Sequence, residues 1–270
     1  MIQLLLERLG LPDDPTAVLV GAGLVAVRVL SLLTFVPVFG VRSIPTPVRI
    51  ALAVLLAAVL YPAVSGGAEI PAGAVALVAL AAKEALVGAV LGFVVALAFA
   101  ALDMAGRLVD ATRGSTLAEV IDPLSGERTS PLGELHVQVG LLVFLAIGGH
   151  RALILGLAGS YETIPLAAFP GASSGLAPLA SGAIRLTADA LLVGLLLAAP
   201  ALVALWVSEI ALGLLGRAAP QVGVHFVGMP LRAAIGLAMV LLALSAMMPA
   251  IAELFGQAID AASRIPGTLR

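Results

Sequence analysis

Four charged side chains stand inside long apolar runs: Arg28, Lys83, Glu84 and Glu209. A charge at membrane depth is costly unless it is paired or hydrated, so such residues mark ion pathways or partners. In a transporter they would couple an ion to a solute. In a multi-subunit complex they would pair with charges on neighbouring chains. Glu209 and Arg217 lie two turns apart on one helix face, so that pair also calls for outside partners, and the inter-subunit reading is preferred for all four.

The second candidate is the stretch from Asp103 to Glu134, the one long polar passage in the chain. Of 14 basic and 16 acidic residues, nine fall here: Asp103, Arg107, Asp110, Arg113, Glu119, Asp122, Glu127, Arg128 and Glu134. Asp103, Arg107 and Asp110 follow an i, i+4, i+7 spacing and share a helix face. Arg113-Gly114 ends or bends that helix. Thr116 and Glu119 have capping-box spacing, and Asp122-Pro123 and Ser125-Gly126 are turn signals. The pattern predicts a structured loop, which by spacing alone reads as a solvated connection between helices.

Other chemistry is weakly supported. Gly21-Ala-Gly23-Leu-Val-Ala26 matches G-x-G-x-x-A, but a dinucleotide site also needs a preceding strand and an acidic residue about 20 positions on. No Asp or Glu occurs between Asp14 and Glu69, so the run reads as small residues that let helices approach. His136, His150 and His225 lie in three separate regions without ligand spacing. There is no cysteine, nucleophile elbow, HExxH or P-loop. Nothing in the sequence points to an enzyme, a metal or a cofactor.

The elements that must hold these residues are set by composition. The chain has 270 residues, 61 % of them hydrophobic and 11 % charged, with a mean hydropathy of +1.16. Soluble domains are about 45–50 % apolar and about 25 % charged, so the chain reads as an all-α integral membrane protein. A net charge of −2 and a single lysine leave no basic surface for nucleic acid. The first 15 residues have no basic n-region and carry Glu7, Asp13 and Asp14, so no cleavable signal peptide is expected.

Six apolar segments are expected: Thr16–Val38, Val48–Val64, Ala72–Leu102, Leu135–Ala158, Ala183–Leu215 and Leu231 to about Ile259. The third is either one long tilted helix or broken near Lys83-Glu84. Pro62 shortens the second, which then pairs with the first as a helical hairpin. Thr46 is expected to cap the second, with Pro47 at its first position. Ser130-Pro131 with Glu134 starts the fourth, and Pro200 kinks the fifth. Pro37, Gly40, Arg42, Pro45 and Arg49 mark the first connection, and Arg217, Pro220, Pro230 and Arg232 the fifth. The first, third and fifth connections hold most of the basic residues and are placed in the cytoplasm. Pro47-Val-Arg and Pro230-Leu-Arg echo one another, either as ordinary helix starts or as two related hairpins.

The runs PVFGVRSIPTPVRIALA, LDMAGRLVDATRGSTLAEVIDPLSGERTSPLGEL and LLGRAAPQVGVHFVGMPLR closely resemble the T subunit of bacterial type III secretion export gates. This is the family of FliR, SctT, SpaR and YscT, and the likeness covers essentially the whole chain. GERTSPLG and SYETIP with the later FP resemble injectisome members more than flagellar ones. Thr112 departs from the Gln that many of those members have before Arg-Gly.

The resemblance implies one subunit domain over residues 1–270, built like a fusion of R-type and S-type gate subunits. It implies a non-enzymatic role in an inner-membrane pore for unfolded proteins. The partners would be R-type and S-type subunits, the U-type switch and the V-type export subunit, in an assembly lifted toward the periplasm. It also implies that the loop from Gly114 to Arg128 plugs the closed pore, with Ser115, Thr116, Glu119, Asp122, Pro123, Ser125 and Gly126 in it. The alternative from the residues alone is a small-solute secondary transporter using Lys83, Glu84 and Glu209.

Overall fold

The structure is a computed structural model. It describes residues 14–39, 44–65, 71, 73–114, 120–121, 128–169, 176–221 and 223–268, with the backbone alone at 120–121, 128–129, 176–180, 224–225 and 265–268. Seven helices carry these residues: α1 (Pro15–Phe35), α2 (Thr46–Val64), α3 (Ala74–Thr112), α4 (Pro131–Ala146), α5 (Gly149–Thr163), α6 (Leu176–Ala218) and α7 (Val224–Thr268). One antiparallel ladder, β1 (Val120–Ile121) with β2 (Arg128–Thr129), pairs Val120 with Thr129 and Ile121 with Arg128. The expected all-α class holds. Among the described residues five helices are long and apolar enough to cross a membrane, or six if α4 and α5 count as one broken span.

The helix ends follow local chemistry. Asp14 caps α1, accepting from the Thr16 amide at 2.9 Å and from its hydroxyl at 2.7 Å and 2.6 Å. These bonds favour the charged carboxylate and hold Asp14 below the usual carboxylate pKa. α1 stops earlier than the expected Val38, because Val36 adopts extended backbone (ψ 119°) ahead of Pro37, as a residue before proline prefers. Thr46 is the first residue of α2 and not its cap; Pro45 holds that place without a side-chain bond. Ser130 caps α4 as expected, accepting from the Gly133 amide at 2.9 Å.

Further boundaries differ in part from expectation. α3 runs unbroken for 39 residues through Lys83 and Glu84, which settles the open choice for that segment. The expected fourth segment is instead split at Ile147-Gly148 into α4 and α5. Gly148 has φ +75°, a left-handed conformation that glycine adopts without a Cβ penalty. Pro200 lies within a continuous 43-residue helix. α7 starts ahead of Leu231, so Pro230 and Arg232 are helical. Arg49 in α2 and Arg217 in α6 are also helical and not in turns. Pro37 and Pro220 do lie in turns, while Gly40 and Arg42 fall outside the described residues.

The contacts divide the chain into two compact units, and α3, α6 and α7 each contribute to both. The first comprises Met1–Ala96, Gly148–Arg185 and Gly256–Arg270. Val25, Val29 and Leu80 are fully buried in it. Its helices meet through glycine. A Cβ on Gly21 would lie 2.5 Å from the Tyr61 ring, one on Gly92 would lie 2.7 Å from Leu32 O, and one on Gly88 would collide with Arg28 O. Gly88 and Gly92 are a small-xxx-small pair that brings α3 onto the α1 backbone.

The second unit, Leu97–Ile147 with Leu186–Phe255, is centred on three phenylalanines. Phe99, Phe144 and Phe255 have ring centroids 4.7–5.8 Å apart in tilted or edge-on arrangements, a geometry that ring quadrupoles favour. Gly106 of α3 lies against the Leu132–Gly133 backbone of α4, and Gly140 lies under Leu102.

The Gly88 contact makes a sharp prediction. Gly88→Ala forces a methyl into the Arg28 carbonyl and is expected to cost about 1–3 kcal/mol of overpacking. Gly23→Ala, where a Cβ meets nothing within 4 Å, should stabilise by up to about 1 kcal/mol through helix propensity. Thermal unfolding of the two purified variants side by side checks the contrast.

Candidate functional site

Two polar constructions stand out, one in each unit. In the first, Arg28 and Glu84 are completely buried. Arg28 Nε donates to Glu84 Oε2 at 2.5 Å and Nη2 donates to Oε1 at 2.9 Å, a bidentate pair. Nη1 donates to Ser160 Oγ at 2.9 Å and Nη2 also to Ile164 O at 3.1 Å. The guanidinium carbon lies 3.8 Å from the Tyr161 ring centroid, within cation–π reach.

Lys83, 7 % exposed, completes the cluster. Its ammonium is 2.7 Å from Glu84 Oε1 and donates to the carbonyls of Pro165 at 2.8 Å, Leu166 at 2.8 Å and Ala168 at 3.0 Å. One carboxylate faces two cations, and backbone oxygens take up the excess positive charge. These oxygens follow the C-terminus of α5, where the helix dipole is negative. Arg28, Lys83 and Glu84 thus pair within the chain. The inter-subunit expectation is corrected for these three, because the fold brings α1, α3 and the end of α5 to one point. Glu209 meets Arg232 at 3.0 Å and not Arg217. Sequence reasoning missed Ser160 and Tyr161, which lie far from Arg28 along the chain, and the Ile164, Pro165, Leu166 and Ala168 carbonyls, since backbone acceptors leave no residue-type signal.

The second construction closes the base of the polar loop. Asp110, near the end of α3, is 6 % exposed. It accepts from the Ser130 hydroxyl and from the Leu132 amide at 2.9 Å, and Arg113 Nη2 lies 2.5 Å from its Oδ1. The chain leaves α3 through Gly114, whose φ is +76°, and comes back through β2 into Ser130. Asp110 and Ser130 therefore clamp the two ends of the loop together. The shared helix face expected for Asp103, Arg107 and Asp110 divides here. Arg107 binds Asp103 at 2.7 Å near solvent, while Asp110 turns inward to the clamp.

Of the expected loop residues, Gly114 is exposed, and Arg128 is described by its backbone in β2. Ser115, Thr116, Glu119, Asp122, Pro123, Ser125 and Gly126 lie outside the described residues. His136 is buried, with Nδ1 2.7 Å from Leu132 O. Among the described residues no three His, Asp or Glu side chains gather as metal ligands.

Comparison with known proteins decides the family. The family described as "Bacterial export proteins, family 1" matches residues 19–258. The chain belongs to this family. Flagellar biosynthetic protein FliR of Escherichia coli (strain K12) is 31 % identical over 247 residues, covering 88 % of this chain and 91 % of that protein. Yop proteins translocation protein T of Yersinia pestis is 35 % identical over 181 residues, 67 % of this chain and 68 % of that protein. Surface presentation of antigens protein SpaR of Salmonella typhimurium is 29 % identical over 222 residues, 82 % of each. The resemblance to FliR, YscT and SpaR read from the motifs is borne out, and relatives of the flagellar, Yop and Spa kinds match alike. With five or six helices among the described residues long and apolar enough to cross a membrane, the chain is a multi-pass membrane protein of this export family.

Two substitutions probe the two constructions. Glu84→Ala leaves Arg28 and Lys83 buried beside each other and is expected to cost about 3–5 kcal/mol. Glu84→Gln keeps an acceptor and should cost less; thermal unfolding in detergent ranks the two. Asp110→Ala orphans the Ser130 hydroxyl and the Leu132 amide, at about 1–3 kcal/mol for each donor left buried. Hydrogen exchange at Leu132 should accelerate while amides in α1 stay protected.

Proposed function

We propose that the chain is a non-enzymatic core subunit of a bacterial type III secretion export gate. In this role it forms part of the pore through which unfolded proteins leave across the inner membrane. The observation that carries this is the family match over residues 19–258, joined to relatives whose names are flagellar biosynthetic protein and Yop translocation protein. The chain acts as one subunit over residues 1–270, beside R-type and S-type partners and the U-type and V-type subunits, in a complex displaced toward the periplasm. GERTSPLG and SYETIP favour an injectisome system. Genes for the partner subunits beside this one would decide between injectisome and flagellum.

The loop from Gly114 to Arg128 is the plug of the closed pore in this reading. The Asp110–Ser130 clamp supports it physically. A loop tied at its base returns to one resting place, while Gly, Ser and Thr within it allow displacement by a passing chain. A small polar loop across an apolar constriction holds back ions. The solute-transporter alternative loses two of its three residues, because Lys83 and Glu84 are tied to Arg28 and to backbone carbonyls.

Deleting Gly114 to Gly126 is expected to leave the complex assembled and leaky to ions. Co-purification of partner subunits and ion flux into cells or vesicles carrying the complex measure the two parts. An assembled deletion that stays ion-tight overturns the plug.

A further inference from the structure

Glu209 and Arg232 form a second ion pair inside the candidate spans, and unlike the first it is open. Arg232 Nη2 lies 3.0 Å from Glu209 Oε1, yet the glutamate side chain is 51 % exposed and the arginine 23 %. Arg232 Nε is buried and has no hydrogen-bond partner among the described residues. Glu209 stands nine residues before Ala218, the end of α6. That is about 13 Å along the axis at about 1.5 Å per residue, inside the apolar stretch of α6 that is long enough to cross a membrane.

Its neighbours on α6 are apolar and outward: Trp206, Val207, Ile210 and Leu214 are all more than half exposed. Lipid tails offer no donor to a half-open carboxylate, and among the described residues Arg232 is its one ionic partner. One turn further along the same row, a Cβ on Gly213 would meet nothing within 4 Å. The helix surface beside Glu209 therefore has room for the backbone of another helix.

The first unit shows how this chain satisfies a carboxylate within an apolar helix. Glu84 is shared by two cations, a guanidinium on one side and an ammonium on the other. Glu209 has its guanidinium and lacks the second cation. We propose that the α6 face centred on Glu209 is a seam for another export-apparatus subunit. An apolar helix of that subunit brings a lysine or arginine to the side of the carboxylate turned away from Arg232. This rests on the export-gate reading and adds the place and the charge of the contact.

The test uses the assembled complex with a photo-cross-linking benzoylphenylalanine at Ile210, which leaves Glu209 and Arg232 intact. Illumination is expected to join the chain to another subunit through a peptide in an apolar span with a Lys or Arg within one turn. Glu209→Lys should then lower recovery of that subunit at least tenfold, and exchanging the partner's cation for Glu should restore it. Adducts with lipid only, with a second copy of this chain only, or with a peptide lacking a basic residue overturn the proposal. Undiminished recovery with Glu209→Lys does so as well. A chain that still co-purifies with the export apparatus but cross-links only to lipid sinks the seam and leaves the gate reading standing. A chain that co-purifies with no export subunit sinks both.

Discussion

The buried pair of Arg28 and Glu84 constrains the first unit more than any other contact. Two full charges without solvent are tolerable only when every group around them is placed to answer them. That requirement reaches into α1, α3, α5 and the turn after α5. Arg28 must lie flat against Glu84 in two-point contact, Ser160 must face it, and the Ile164, Pro165, Leu166 and Ala168 carbonyls must turn toward Arg28 and Lys83. Glycine makes the geometry reachable. Gly88 lies on the Arg28 carbonyl one turn along α3 from Glu84, so the helix that supplies the carboxylate approaches the helix that supplies the guanidinium without a side chain between them.

The second unit solves a different problem. It must carry a polar loop between two apolar helices and give the loop a defined root. Asp110 does this by reaching from the last turns of α3 to the cap of α4, where Ser130 both bonds Asp110 and caps the Gly133 amide. The same hydroxyl serves the helix and the loop. A close glycine contact between Gly106 and the Leu132–Gly133 backbone sets the spacing that lets this short carboxylate reach. The phenylalanine trio adds ring-on-ring packing in a chain with only 4 % aromatic residues.

Much of this was legible beforehand. Membrane character, helical class, the Ser130 start of α4 and the glycine end of α3 follow from composition, length and capping chemistry, which act over a few residues. The family was legible too, because long motif runs are strings of residue types. The break at Gly148 was not, since a glycine within an apolar run reads the same whether its φ is positive or negative. The Glu84 partnership was also hidden. Arg28 and Glu84 are 56 positions apart, and nothing local joins them.

The sequence by itself determined that this chain lives in a membrane as helices, that it belongs to an export family, and that four charges sit where lipid would not accept them. Only the tertiary structure decided which of those charges are answered at home. Pairing depends on which helix faces meet, and helix faces meet through packing between segments far apart in the chain. Arg28, Lys83 and Glu84 are closed off together because three elements converge on them. Glu209, paired with Arg232 of α7, keeps half its side chain open.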